Sequence, residues 1–221
     1  MAYNKEYWEY QKGIGEKVHH TNYVNSKFIS KIKSSDIVLD FGCGGGYILN
    51  SIDCKKKIGI EINPSAQIKA KEFNIEIFES FNSLKEETID VIISNSALEH
   101  IINPIEILIE SNRVLKKKGK LMISVPHEDL SYGYVKDDIN QHFYTWSPMS
   151  IGNLIQKAGF KIEEVKTTKI IQPPLASKVF KLFGLKGYRI FGKFYRMIRK
   201  AIIPFKRIGV NADIIVYATK L

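Results

Sequence analysis

Short apolar runs alternate with amphipathic stretches through most of the chain. Runs at 37–41, 57–61, 75–78, 89–94 and 120–125 are rich in Ile, Val and Leu. Each is short enough for a strand, and continuous apolar character suits a strand covered on both faces. Candidate helices lie between them, near 46–52, 64–73 and 104–115, and Pro64 suits the first turn of the second. Such alternation predicts an α/β fold with a doubly wound, mostly parallel sheet. Upstream, Tyr23, Val24, Phe28, Ile29 and Ile32 recur at helical spacing, so residues 1–35 read as a helical lead-in. Downstream, Ser147-Pro148 opens a helix that stops at Ala158-Gly159. Phe160 to Thr168 reads as a sixth strand and Asp213 to Thr219 as the last. The polar, aromatic segment from Pro126 to Ser147 is too long for a plain connection and is a candidate functional loop.

The most informative junction is the first. Ile37-Val38-Leu39 ends in Asp40, and Gly42-Cys43-Gly44-Gly45-Gly46 then leads into Tyr47-Ile48-Leu49. A strand, a glycine turn and a helix start present bare backbone N–H groups to a ligand at the sheet edge. A dinucleotide fingerprint would need a glycine where Tyr47 stands. The second strand closes on Glu61-Ile62-Asn63. A carboxylate there is placed to accept both hydroxyls of a ribose.

These residues resemble motifs I and II of the class I S-adenosylmethionine-dependent methyltransferases. The likeness continues in order. Thr88 to Ile101 is similar to the fourth-strand segment of the small-molecule (type 11-like) branch. Asn112 to Pro126 is similar to the fifth-strand segment, with Lys118 in place of a common glycine. The resemblance spans roughly Asp36 to Lys166. It implies a seven-stranded Rossmann-like sheet whose last strand is antiparallel and sits between strands five and six. It also implies S-adenosylmethionine as cofactor, with S-adenosylhomocysteine as product. By the same resemblance Asp40, Gly42, Cys43 and Gly44 hold the methionine end, and Glu61 with Ile62 holds the ribose side. Glu79, Ser80 and Phe81 approach the adenine, and Asn95 and Ala97 line the sulfonium side. The chain then divides into a helical lid (1–35), a cofactor-binding core (36–169), a basic amphipathic insertion (170–210) and the last strand (211–221), all one domain.

Methyl transfer from a sulfonium is an in-line displacement, so the protein must align the nucleophile and, for a hydroxyl, remove its proton. His127, at the end of the fifth strand, and His142, in the long loop, are the candidate bases. Each also has a structural reading, as a residue that pins the loop. His19, His20, His100, Tyr144 and Arg189 are candidate acceptor contacts. A metal held by His127, Asp137, Asp138 and His142 has no recognisable ligand spacing, and the expectation is no metal.

Charge changes the picture only at the C-terminal end. Residues 161–221 hold 14 Lys or Arg and 3 Asp or Glu, net +11 (14 − 3), whereas residues 1–160 hold 19 and 20, net −1 (19 − 20). Between Leu175 and Arg207 there are ten basic residues and no acid. Arg189, Lys193, Arg196 and Lys200 form one helical stripe; Phe191, Phe194, Ile198 and Ile202 form another. The bland reading is a lid with its aromatics packed on the body. The functional readings are an anionic or sugar-linked acceptor, or peripheral contact with a membrane through 175–207. Nucleic acid is not expected, because the aromatics do not form a stacking platform. The N-terminal residues lack the apolar core of a signal peptide, no run is long enough to span a bilayer, and Cys43 and Cys54 lack ligand spacing. A cytoplasmic enzyme, with glycan precursors, quinones or lipid-linked metabolites as acceptors, is the expectation. A non-catalytic cofactor-binding subunit is the alternative.

Overall fold

The computed structural model describes residues 5–127, 134, 136, 138–170, 175–202 and 211–221. Seven strands form one sheet: β1 (Ile37–Phe41), β2 (Lys56–Ile60), β3 (Glu76–Phe78), β4 (Ile89–Asn95), β5 (Leu115–His127), β6 (Phe160–Ile170) and β7 (Asn211–Lys220). Their order across the sheet is β3-β2-β1-β4-β5-β7-β6. The first five strands pair in parallel, and β7 runs antiparallel to both β5 and β6. The order reverses between β1 and β4, which places a crevice at their C-terminal ends.

The apolar runs are strands because both faces are covered. On one face Leu39, Ile92, Leu121 and Val216 pack with Leu108 of α5 (Pro104–Val114) and with Ile151 and Ile155 of α6 (Pro148–Lys157). On the other, Val38, Ile93, Met122 and Ile215 meet Val24, Phe28, Leu49 and Ala70. These come from α2 (Val18–Asn25), the turn that follows it, α3 (Tyr47–Asn50) and α4 (Pro64–Lys71). The lid begins with α1 (Lys5–Gly15), and the basic insertion is α7 (Ala176–Ile202), broken at Gly184. Asn63 caps α4 by accepting the Ser65 and Ala66 N–H groups, with Pro64 in the first turn as expected.

Two boundaries differ from the pattern. The third helix is one turn, 47–50, because Ser51 and Ile52 only close 3-10-type bonds back to Ile48 and Leu49. β5 starts five residues early, at Leu115. The Ile89–Leu115 pair is followed directly by Val91–Lys120, so extra residues loop out of register. Lys118 absorbs that bulge at φ 61°, in the left-handed region that favours glycine. A side chain there costs backbone energy, and Lys118→Gly is expected to stabilise the fold by about 0.5–1 kcal/mol. Chemical denaturation of the two proteins measures this directly; an unchanged or lower midpoint would refute it.

Candidate functional site

The glycine turn lies at the crevice. Gly42 and Cys43 donate their N–H groups to the Ile60 carbonyl, and Ser94 donates its hydroxyl to the Phe41 carbonyl. These bonds lock the ends of β1, β2 and β4 together. Gly42 has φ 72°, and a Cβ on it would stand 2.5 Å from the Ala97 Cβ. Glycine is therefore required for the turn to abut the end of β4. Gly44 has φ 53° and a Cβ there would meet nothing, so its backbone borders open space.

Two acids face this turn. Glu61 accepts N–H bonds from Gly44 at 2.8 Å, Ile62 at 2.9 Å and Asn63 at 2.8 Å. Its pKa is raised by burial, against the pull of those three bonds. Asp40 is buried, and its Oδ2 has no hydrogen-bond partner among the described residues. Burial, and then the Glu61 charge, push the Asp40 carboxyl well above its ordinary range. A buried carboxylate oxygen without a protein partner, beside an open glycine turn, is placed to meet a cationic group. Ile62 projects an exposed apolar side chain at the same rim.

The other positions divide. Asn95 ends β4, and Ala97 lies against Gly42. Cys43 turns its thiol into the core over Gly59, and its pKa is raised by burial and then by Asp40 and Glu61. Only its backbone faces the turn. Glu79 and Ser80 are exposed, with Ser80 accepting the Asn82 N–H. Phe81 is instead a core residue, stacked on Phe41 at 5.7 Å, because the chain turns inward after Ser80 to cover the sheet.

Beyond β4, a 3-10 turn at Leu98–His100 carries a second group. The donor atoms of buried Glu99, His100 and His142 lie within 4.8 Å of one another. The two imidazoles meet edge to face at 4.8 Å, and Tyr7 of α1 approaches His100 at 6.5 Å. Burial, and then His142, lower the His100 pKa to about 4, against a hydrogen bond to the Asn140 backbone. His100 is thus neutral at neutral pH. Of the set considered from sequence for a metal, Asp137 lies outside the described residues. His127 ends β5, paired with Ala212, and its Nδ1 is buried with no partner among the described residues.

The Tyr144 hydroxyl donates to the Ile102 carbonyl at 2.7 Å, which holds the long loop over this group. Arg189 donates to Ser26 Oγ at 2.7 Å, so it joins α7 to the segment after α2. His19 and His20 lie in α2, with side chains outside the description. Trp8 of α1 lies against the glycine turn, where a Cβ on Gly45 would stand 2.7 Å from its ring.

One polar feature escaped the sequence reading. Lys27 is buried and reaches Asn95 Oδ1, Ser124 Oγ and Asp213 Oδ2, each at 2.9 Å. Those three side chains come from β4, β5 and β7, and Tyr23 extends the row to Thr168 of β6. The lysine follows Tyr23 by four residues and Val24 by three, on the apolar side of the lead-in. A cation on a buried stripe was the available signal.

A family model described as a methyltransferase domain matches residues 17–165. The chain belongs to this methyltransferase family. An uncharacterized methyltransferase of Schizosaccharomyces pombe is 26% identical over 204 residues, covering 77% of each chain. A probable S-adenosylmethionine-dependent methyltransferase of Mycolicibacterium smegmatis is 24% identical over 136 residues, 58% of this chain and 52% of that one. The crystal structure of a putative methyltransferase from Bacillus halodurans superposes with a TM-score of 0.63 at 19% identity, over 90% of this chain and 97% of that one. The cofactor of this methyltransferase is S-adenosylmethionine, and the residues fit it. Asp40 would supply a counter-charge for its cationic methionine end, Glu61 the ribose acceptors, Gly44 the open backbone and Ile62 an apolar face. When bound, the cofactor supplies an electrophilic methyl group.

Proposed function

We propose that this methyltransferase modifies an oxygen of a small anionic or sugar-linked acceptor, with His142 as the base. The grouping of Glu99, His100 and His142 beside Ala97 carries this reading. A hydroxyl loses its proton poorly at neutral pH, whereas an amine needs no buried acid–imidazole set. In this arrangement His142 takes the proton, the neutral His100 packs against its ring, and the Glu99 charge favours the imidazolium that forms. The basic C-terminal third favours an acceptor carrying negative charge. The polyanion-bearing precursors of glycans and other sugar-linked metabolites fit that description, as does a cytoplasmic location.

The test is methyl-labelled S-adenosylmethionine with fractionated acceptors, comparing His142→Ala and His127→Ala. Removing His142 is expected to lower kcat by roughly 10²–10⁴-fold with cofactor affinity unchanged, and removing His127 to have a much smaller effect. Equal activity of parent and His142→Ala would reject the base. Binding of cofactor without any S-adenosylhomocysteine formation would turn the reading to a non-catalytic subunit. Activity lost on chelation and restored by a divalent ion would reassign Glu99, His100 and His142 as ligands.

A further inference from the structure

The basic insertion is amphipathic in an unusual sense, because its outer face is the apolar one. Tyr188 is buried, Phe180 meets it edge to face at 6.3 Å, and Arg189 bonds to Ser26. That inner side docks α7 on α2. The outer side carries Leu182 (74% exposed), Phe183 (56%), Ile190 (64%), Phe194 (60%) and Met197 (67%). Ile190, Phe194 and Met197 follow one another at four and three residues, which is one continuous stripe. Phe183 and Phe191 touch at 5.3 Å across the break at Gly184, so the stripe passes the kink. The expected lid with aromatics packed on the body is therefore corrected: Phe191, Phe194 and Ile198 face outward. The side chains of Arg196, Lys200 and Ile202 lie outside the description.

Charge says what covers this face. Lys186 and Lys193 are exposed beside Ile190, and the whole stretch 175–207 has ten cations and no acid. Among the described residues no helix is long and apolar enough to cross a membrane. We infer that the outer face of α7 lies in the surface of an anionic bilayer. Its apolar stripe enters the acyl boundary and its lysines meet the headgroups. A second copy of the chain would bring like charges together across the contact. Nucleic acid would match the charge but leave Leu182, Ile190 and Met197 in water.

Position adds a consequence. α7 rests on α2, and the residues after α2 lead through Ser26 and Lys27 to Asn95, Ser124 and Asp213 at the acceptor end. A bilayer held by α7 would present its headgroups beside that end. Resting on the methyltransferase reading, the acceptor class narrows to an anionic molecule anchored in, or partitioned into, a membrane.

The experiment is cosedimentation of the full chain with vesicles of phosphatidylcholine alone or mixed with phosphatidylglycerol. Binding is expected only with the anionic lipid, and weaker at high salt. Phe183→Ser/Phe194→Ser/Met197→Ser should bind about tenfold more weakly or worse, and Lys186→Gln/Lys193→Gln should lose the lipid preference. Because these side chains are exposed, melting temperature and S-adenosylmethionine affinity should stay at parent values in both variants. Those two readouts report on the cofactor fold independently of lipid. No binding to anionic vesicles, equal binding to both lipids, or full binding by the apolar variant would overturn the inference. So would self-association, or RNA binding, in place of vesicle binding.

Discussion

Asp40→Asn is expected to lose cofactor binding while making the empty protein more stable at neutral pH. The carboxylate is buried, its Oδ2 is unbonded, and Glu61 lies close enough to repel it. Its pKa is raised in the fold above the unfolded value, by burial first and by Glu61 second. The sign follows. Stability linked to Asp40 is complete below the unfolded pKa and is lost as pH rises through the folded one. Asparagine does not titrate, so the variant's advantage should grow from acid to neutral pH. Cofactor affinity should move the other way, by about 100-fold or more, because a charged, buried contact is removed. Thermal melts with and without S-adenosylmethionine across that pH range read both effects. A variant that keeps the full cofactor-induced shift would reject Asp40 as the counter-charge.

Lys27→Met is expected to destabilise the protein by about 3 kcal/mol, since Asp213, whose side chain is 14% exposed, loses its partner and the Lys27 bonds to Asn95 and Ser124 go with it. The Lys27 pKa is lowered by burial, and the Asp213 charge and hydrogen bond only oppose that. The lysine's charge thus costs stability at neutral pH even in the paired state. Lys27→Met/Asp213→Leu should recover most or all of the loss, because neither charge then remains desolvated. The double variant should still bind cofactor, because the glycine turn, Asp40 and Glu61 are untouched. Its kcat should fall, because Asn95 loses the cation that orients its side-chain carbonyl. A double variant as unstable as the single one would show that the pair is not the origin of the loss.

Much of this architecture is legible locally. Strands covered on both faces announce themselves as Ile- and Val-rich runs, and β1 agrees with its run to the residue. Asp40, Gly42, Gly44 and Glu61 are legible because one short turn and its neighbouring strand carry them. What is not legible depends on distant segments meeting. Phe81 follows an adenine-side loop in sequence, yet the sheet needs its ring as filler, and stacking on Phe41 decides its direction. His100 and His142 are forty-two residues apart, and only the loop folded back by Tyr144 makes them neighbours. Lys27 looks like an ordinary surface lysine until three strands supply its partners. The two stripes of α7 were visible as periodicities, but periodicity does not say which one meets the body. Tyr188 and Phe180 take the inner side, leaving the larger apolar set outside.

The seating of β7 bears on how the chain reaches its folded state. It is the last strand in sequence, yet β5 and β6 both depend on it for pairing. Its Asp213 also holds Lys27, and its Tyr217 hydroxyl donates to the Lys27 carbonyl, 190 residues earlier in the chain. During synthesis, then, β5 waits with an open edge, and the N-terminal segment lacks the Asp213 and Tyr217 contacts until β7 emerges. Contacts of such sequence separation close slowly. The unpaired edge is meanwhile a template for wrong partners. Completion of the sheet and formation of the Lys27–Asp213 pair are consequently one late event.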